Sequence, residues 1–432
     1  MSTAKIPVII DTDPGVDDVV AILLALASPE LDILAIVVSF GNADIDASYT
    51  NIFKLYQAIS LHLAAHPNDK RRFPCYLSSR PFVARGAEGP LEGELHSAQY
   101  FHGRDGLGDI TTRHPSLNVP LLSATVIDPE AFPSLQFTSK SGAELTLDLL
   151  RAHPARTITY IALGPLTNLA TAVRLGGTTV GDRVGRVISM GGALDVPGNT
   201  SPVAEFNFFA DPYAVKELLC PSSAPPPIPL DRFLLLPLDI TTPHELPFPV
   251  YQSCVDPTLS ASATSDAQAA GRSPLVHFTS SFFEHTREVM LGFGNDAMEL
   301  HDIVAVWCAI QNPPLPEGQA SKGGLPRVEK GWKVVQRVFD IERTGELTRG
   351  MLVVDRREDS QSAEAPGMNR TEVEAEREQH VGKVIPAQVE VEQASDALHI
   401  GAGRGVTVVV ETPGPAALLE VLLERVWGVS QN

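Results

Sequence analysis

Residues 6 to 11, IPVIID, form an unbroken apolar run of strand length that ends in an aspartate, and Pro14 and Gly15 turn the chain after it. The next stretch, VVAILLALAS from Val19 to Ser28, is apolar on nearly every face and predicts a mostly buried helix. The same pattern recurs. ILAIVVSFGN (33–42) reads as a strand and a loop, TITYIALGPLTNLATAVRL (157–175) as strand, Gly-Pro turn and helix, and RVISMGG (186–192) as a strand ending in glycines. Strands alternating with helices predict an α/β fold, with a mainly parallel central sheet flanked by helices and right-handed crossovers. In such sheets the loops at the carboxyl ends of the strands line the ligand crevice. The polar clusters that follow these strands therefore fall where chemistry is expected.

Two stretches break the pattern. CPSSAPPPIP (220–229) is too rich in proline for regular structure and reads as a surface insertion before the strand in FLLLPLDI; residues 220–230 are assigned to it. From 356 to 404 the chain turns polar and reads as a solvated, disorder-prone insertion. VTVVVETPGPAALLEVLLERVWG (406–428) then supplies a last strand and a closing helix. A length of 432 residues allows one domain with insertions or two domains. Because the strand-helix pattern resumes after 404, the chain is read as a single domain over 1–432.

Charge narrows the function. With 52 acidic against 33 basic residues the net charge is -19, which repels a phosphate backbone and makes nucleic acid an unsuitable partner. No apolar run reaches membrane-spanning length and no basic and apolar leader opens the chain, so a cytoplasmic protein without a membrane partner is expected. Cys75, Cys220, Cys254 and Cys308 are scattered without a C-x-x-C pair, so neither a disulfide framework nor a thiolate metal site is expected.

The chemistry concentrates in DTDPGVDD, where Asp11, Asp13, Asp17 and Asp18 crowd one turn. Carboxylates this close raise one another's pKa values unless a cation neutralises them. Asp17 and Asp18 alone could simply complement a helix N-terminus. The whole cluster, without neighbouring Cys or His, points to a hard cation, Ca²⁺ or Mg²⁺.

DTDPGVDD also resembles the N-terminal signature of the inosine-uridine preferring nucleoside hydrolases. Further matches follow in order: SFGN (39–42), FHGRDGLGD (101–109), ALGPLTNLA (162–170), SMGGALDVPGNTSPVAEFNFFADP (189–212), LHDIVAV (300–306) and LTRGMLVVD (347–355). The resemblance implies calcium-dependent hydrolysis of the N-glycosidic bond of ribonucleosides to free base and ribose. It carries over a calcium shell of Asp13, Asp18, the Leu163 carbonyl and Asp302, completed by ribose hydroxyls and a water, with Asp13 the general base that activates that water. Asp17, Asn42, Asn199, Glu205 and Asn207 match ribose-binding positions, Met190 an apolar residue beside the sugar, and His102 a residue near the base. His301 matches the general acid to the leaving base, while Asp11 is read as support for the loop. The resemblance also implies a homo-oligomer, dimer or tetramer. The segment from Tyr251 to Phe293 matches poorly and is taken as a base-facing loop, which leaves the preferred nucleobase open.

Two other readings compete. Asp-x-Asp after a first strand also occurs in Mg²⁺-dependent aspartate-nucleophile phosphatases, but that leaves AEFN and LHD without roles. A nucleoside- or sugar-binding protein of the same fold would not need both Asp13 as base and His301 as acid.

Overall fold

A computed structural model describes residues 5–123, 126–221, 225–315, 325–356 and 405–430. The polar insertion expected between 356 and 404 lies outside these residues, apart from Arg356 itself.

Nine strands form the central sheet: β1 (Ile6–Thr12), β2 (Leu31–Val38), β3 (Phe82–Arg85), β4 (Gln136–Phe137), β5 (Thr159–Ala162), β6 (Arg186–Met190), β7 (Phe233–Leu236), β8 (Lys333–Arg337) and β9 (Val406–Glu411). Their spatial order is β8-β9-β7-β6-β5-β1-β2-β3-β4, with every pair parallel except β8 with β9. The central strands are apolar throughout because both faces are covered. Side chains alternate into two cores: Val8, Ile10, Ile36 and Ile161 join one, and Ile9, Val37, Tyr160 and Ala162 the other.

From β1 the chain builds outward through β2, β3 and β4, then returns to β5 on the opposite side of β1. The order therefore reverses between β1 and β5, which opens a crevice beyond their carboxyl ends. Register makes those ends level, since Asp11 pairs with both Val37 and Ala162. The loops carrying Asp13, Asn42 and Leu163 thus leave the sheet side by side.

Helix α1 (Val16–Leu26) follows β1 and is buried at every position but Asp17. It starts three residues before the expected Val19, because the Asp18 carboxylate accepts the Gly15 N–H (3.0 Å) and satisfies one of the free donors of the first turn. Helix α2 is Ile45–Ala65.

Two expectations need correction. The segment 251–293 is not mainly loop, for Pro274–Gly292 is a 19-residue helix, α3. Its run of Phe, Thr and Ser has weak intrinsic helix preference, and the helix is held by Ser273 at its N-cap and by a buried aromatic face. The Pro-rich stretch is not wholly at the surface either, since Ile228 and Leu230 are buried among the apolar side chains of one core. A further helix, α4 (His301–Gln311), packs against α1. No helix among the described residues is long and apolar enough to cross a membrane.

Candidate active site

The turn after β1 folds around one carboxylate. Asp18 accepts hydrogen bonds from Thr12 Oγ1 (2.5 Å), the Asp13 N–H (3.2 Å), the Gly15 N–H (3.0 Å) and Asn42 Nδ2 (2.8 Å). Four donors and the α1 N-terminus stabilise a charge that burial would otherwise oppose. Asn42 also donates its backbone N–H to Asp13 Oδ2 (2.8 Å), so the loop after β2 is pinned to the loop after β1.

The other oxygens are left exposed to one another. Asp13 Oδ1 and Asp17 Oδ1 are buried without a hydrogen-bond partner. Asp17, Asp18 and Asp302 each offer an oxygen, all within 4.8 Å of one another. Burial first, then the charge of Asp18, hold the Asp13 carboxyl well above the usual carboxylate range. The same two causes push Asp17 up to about 7, against the pull of His301. Burial, then Asp17, Asp18 and Asp13, raise Asp302. Asp302 stands in the first turn of α4, and the Leu163 carbonyl is reached by Asn207 Nδ2 (2.6 Å), leaving it a second lone pair. Buried, mutually repelling carboxylates, two of them with an oxygen that has no partner, are a donor set for a hard cation, and every ligand atom they offer is oxygen.

Above this cluster lies a cavity of about 400 Å³. Asp17, Asn42, His102, Leu163, Met190, Asn199, Glu205, Asn207, His301 and Asp302 line it, and Asp13 and Asp18 are not among its lining residues. Glu205 caps a short helix, accepting from the N–H groups of Gly192 (2.7 Å), Asn207 (2.8 Å) and Phe208 (3.1 Å), and Asn199 Oδ1 accepts from the Phe206 N–H (3.0 Å). The polar loop GNTSPVAEFN is thereby a fixed wall. Asp11 lies deeper, taking hydrogen bonds from Tyr160 Oη and Asn168 Nδ2 (both 2.7 Å), and so braces the turn from beneath.

Two histidines face the cavity in opposite electrostatic settings. His102 Nδ1 accepts the Val16 N–H (3.3 Å), and burial, then the charges of His285 and His301, push its pKa down to about 3, so it is neutral with its proton on Nε2. His301 is bonded at both ring nitrogens, Nδ1 to Thr241 Oγ1 and Nε2 to Glu299, each at 2.8 Å. Burial alone would lower its pKa, but the hydrogen bond and charge of Glu299, with Asp17 and Glu205, raise it above the ordinary value.

The inosine-uridine preferring nucleoside hydrolase family model matches residues 8–390. The chain belongs to this family. Among its relatives, uridine nucleosidase 1 of Arabidopsis thaliana is 34% identical over 207 residues, 48% of this chain and 51% of that one. A pyrimidine-specific ribonucleoside hydrolase of Salmonella arizonae is 31% identical over 353 residues, 81% of this chain and 88% of the other. The match thus spans about half the length of the plant relative and most of the bacterial one. The solved purine-preferring ribonucleoside hydrolase of Gardnerella vaginalis shares the fold at a TM-score of 0.59, with 18% identity and 98% of each chain covered.

Several cavity residues of this nucleoside hydrolase family member carry little or no sequence signal. Glu299 stands two residues before His301, in a short strand (Ala297–Glu299), and only the fold turns it onto the imidazole. Tyr100, Phe101, Met290, Phe293 and Met298 add an apolar rim, with Tyr100 and Phe293 exposed by 62% and 68% at its mouth. The adjacency of Tyr100 and Phe101 to His102 was the available clue to part of it.

Proposed function

We infer that this chain hydrolyses the N-glycosidic bond of ribonucleosides to free base and ribose, with Ca²⁺ held by Asp13, Asp18, the Leu163 carbonyl and Asp302. The observation that carries the reading is the convergence of Asp17, Asp18 and Asp302, within 4.8 Å of one another, together with the unpartnered oxygens of Asp13 and Asp17, at a cavity walled by amides and a carboxylate. No Lys or Arg lines that cavity among the described residues, which leaves a phosphate group without a counter-charge and argues against the phosphatase alternative. The ion, when bound, would orient the ribose hydroxyls and make a water more acidic.

The side chains supply the rest. Asp13, with one oxygen fixed by Asn42 and the other free, takes the proton of the attacking water. The water oxygen bonds to the anomeric carbon, the carbon–nitrogen bond breaks, and its electron pair leaves with the base. His301, whose pKa Glu299 helps to raise, gives that base a proton once one ring nitrogen turns from Thr241 or Glu299 to the base. Asp17, Asn42, Asn199, Glu205 and Asn207 surround the sugar, where hydrogen bonds that strengthen as it becomes electron-poor lower the barrier. Met190 packs beside the ribose. His102 and the apolar rim meet the base. The relatives bear uridine, pyrimidine and purine preferences in their names, so substrates of both base classes belong in the test. A homo-oligomeric state is part of this reading, checked by light scattering.

The decisive experiment measures reducing sugar released from inosine, uridine, adenosine and cytidine before and after calcium is removed with a chelator. Release that disappears on chelation and returns with calcium supports the assignment. No release from any nucleoside with calcium bound would leave a binding protein in its place.

A further inference from the structure

Away from the cavity, three side chains from separate segments converge at another point. His114 ends the turn Ile110–Arg113, His277 lies in the first turn of α3, and Asp266 belongs to the Ser/Ala-rich stretch before α3. His114 Nδ1 and His277 Nε2 are 3.1 Å apart, and Asp266 Oδ1 is 3.4 Å from the first and 3.5 Å from the second. We propose that His114, His277 and Asp266 form a second metal site, for a zinc-class divalent ion with a water as fourth ligand.

Hydrogen bonds account for the contact between the two imidazoles but not for the approach of Asp266 to both rings. One N–H can lie between the imidazoles, but the carboxylate oxygen is then beyond the roughly 2.7–3.2 Å range of an N–H···O bond to either ring. That carboxylate is already served by Ser116, through Oγ to Oδ1 (2.6 Å) and N–H to Oδ2 (3.0 Å). In a tetrahedral site with ligands about 2.0–2.2 Å from the ion, neighbouring ligand atoms stand about 3.3–3.6 Å apart. The three observed separations fall close to that spacing. Two imidazoles and one carboxylate favour zinc or a similar transition ion, in contrast to the all-oxygen cluster of the cavity. Ser116 orients the carboxylate as an outer-shell partner would.

Burial, then Arg113 and His277, push the His114 pKa down to about 4 against Asp266 and Glu284, which keeps the ring in the neutral form that binds a metal. Arg113 Nη1 gives its better hydrogen bond to the Thr264 carbonyl (2.9 Å) and stands 3.4 Å from His114 Nε2. The His114 side chain is fully buried, whereas those of His277 and Asp266 are 17% and 34% exposed, so solvent can reach the fourth position. An ion there would tie the segment before α3 to the FHGRDGLGD loop, whose His102 faces the cavity. Its role would be to fix that wall, not to take part in the reaction.

The test uses the full chain, stripped with a chelator and then saturated with calcium to fill the cavity site. Cobalt(II) is titrated in and followed by the visible absorption of four-coordinate cobalt, then zinc is added. The expected result is one equivalent of cobalt with a tetrahedral spectrum, displaced by zinc. In His277→Asn and Asp266→Asn, both partly exposed positions, affinity should fall by roughly tenfold or more with circular dichroism unchanged. Wild-type protein that binds no cobalt beside calcium, or variants that bind it as the wild type does, would overturn the proposal.

Discussion

Asp13 is confined by two glycines. A Cβ at Gly41 would overlap its Oδ2, and one at Gly164 would lie 2.5 Å from Oδ1. The backbone therefore comes as near the carboxylate as it can, and Gly164→Ala should displace that carboxylate without unfolding the chain. We expect turnover of inosine to drop at least about tenfold, since small misplacements of a reacting group cost on the order of 10²-fold. Asp13→Ala should lose roughly 10²–10⁴-fold or more. If either variant turns over normally while circular dichroism shows it folded, Asp13 is not the base. His301→Ala separates a chemical from a structural role, for a p-nitrophenyl riboside has a leaving group that needs little protonation. The loss should be far greater on inosine, and equal losses on both would reduce His301 to packing. Asp13 and His301 stand out in the sequence as residue types in motifs, and these variants test the roles assigned to them. Glu299 does not stand out, because nothing in MELHD specifies that a strand residue turns onto the ring two positions later.

At the scale of elements, the FHGRDGLGD loop is organised by Asp105 as much as by its glycines. Its carboxylate accepts the N–H groups of Leu107 (2.9 Å), Asp109 (2.8 Å) and Thr111 (2.7 Å) and the Thr111 hydroxyl (2.6 Å), with Lys54 3.6 Å away. Asn51 of α2 then bonds the carbonyls of both Asp105 (2.7 Å) and Pro14 (2.9 Å), joining this loop to the aspartate turn. Burial alone would raise the Asp105 pKa, but Lys54, Thr111 and Leu107 bring it below the ordinary value. A depressed carboxyl pKa stabilises the fold at pH values above the unfolded value of about 3.9, and that contribution is lost as pH falls on through the lower folded value. Asp105→Asn should therefore lower stability by about 1–3 kcal/mol at neutral pH. Urea unfolding should show a constant gap from wild type down to about pH 5, narrowing below about pH 4. A gap independent of pH would mean that geometry, not charge, holds the loop. Element types were readable here where apolar periodicity was strong, as in β1 and α1. The length of α3 was hidden by its Ser, Thr and Phe, whose helical state is decided by tertiary packing.

For the whole molecule, the sequence pattern specified a parallel α/β sheet but not its order. No local signal shows that β9, from the far end of the chain, enters between β7 and β8, or that the order reverses at β1. That reversal brings Asp302, nearly three hundred residues from Asp13, onto the same charged cluster. The fold consequently holds together groups that repel one another, and a cation bound there should be felt in global stability. A ligand at 100 times its Kd adds about 2.7 kcal/mol to a native state that alone binds it. Chelation should lower Tm by several degrees, and calcium should restore it in a concentration-dependent way. Asp302→Ala gives the sharper result, because it removes a ligand of the proposed calcium shell and a repelling charge together. Its calcium-free form should be no less stable than calcium-free wild type, and its calcium-dependent rise in Tm should vanish. A variant that keeps the full rise would show that calcium binds elsewhere, whereas one already unstable without calcium would show that Asp302 supports α4 rather than a metal.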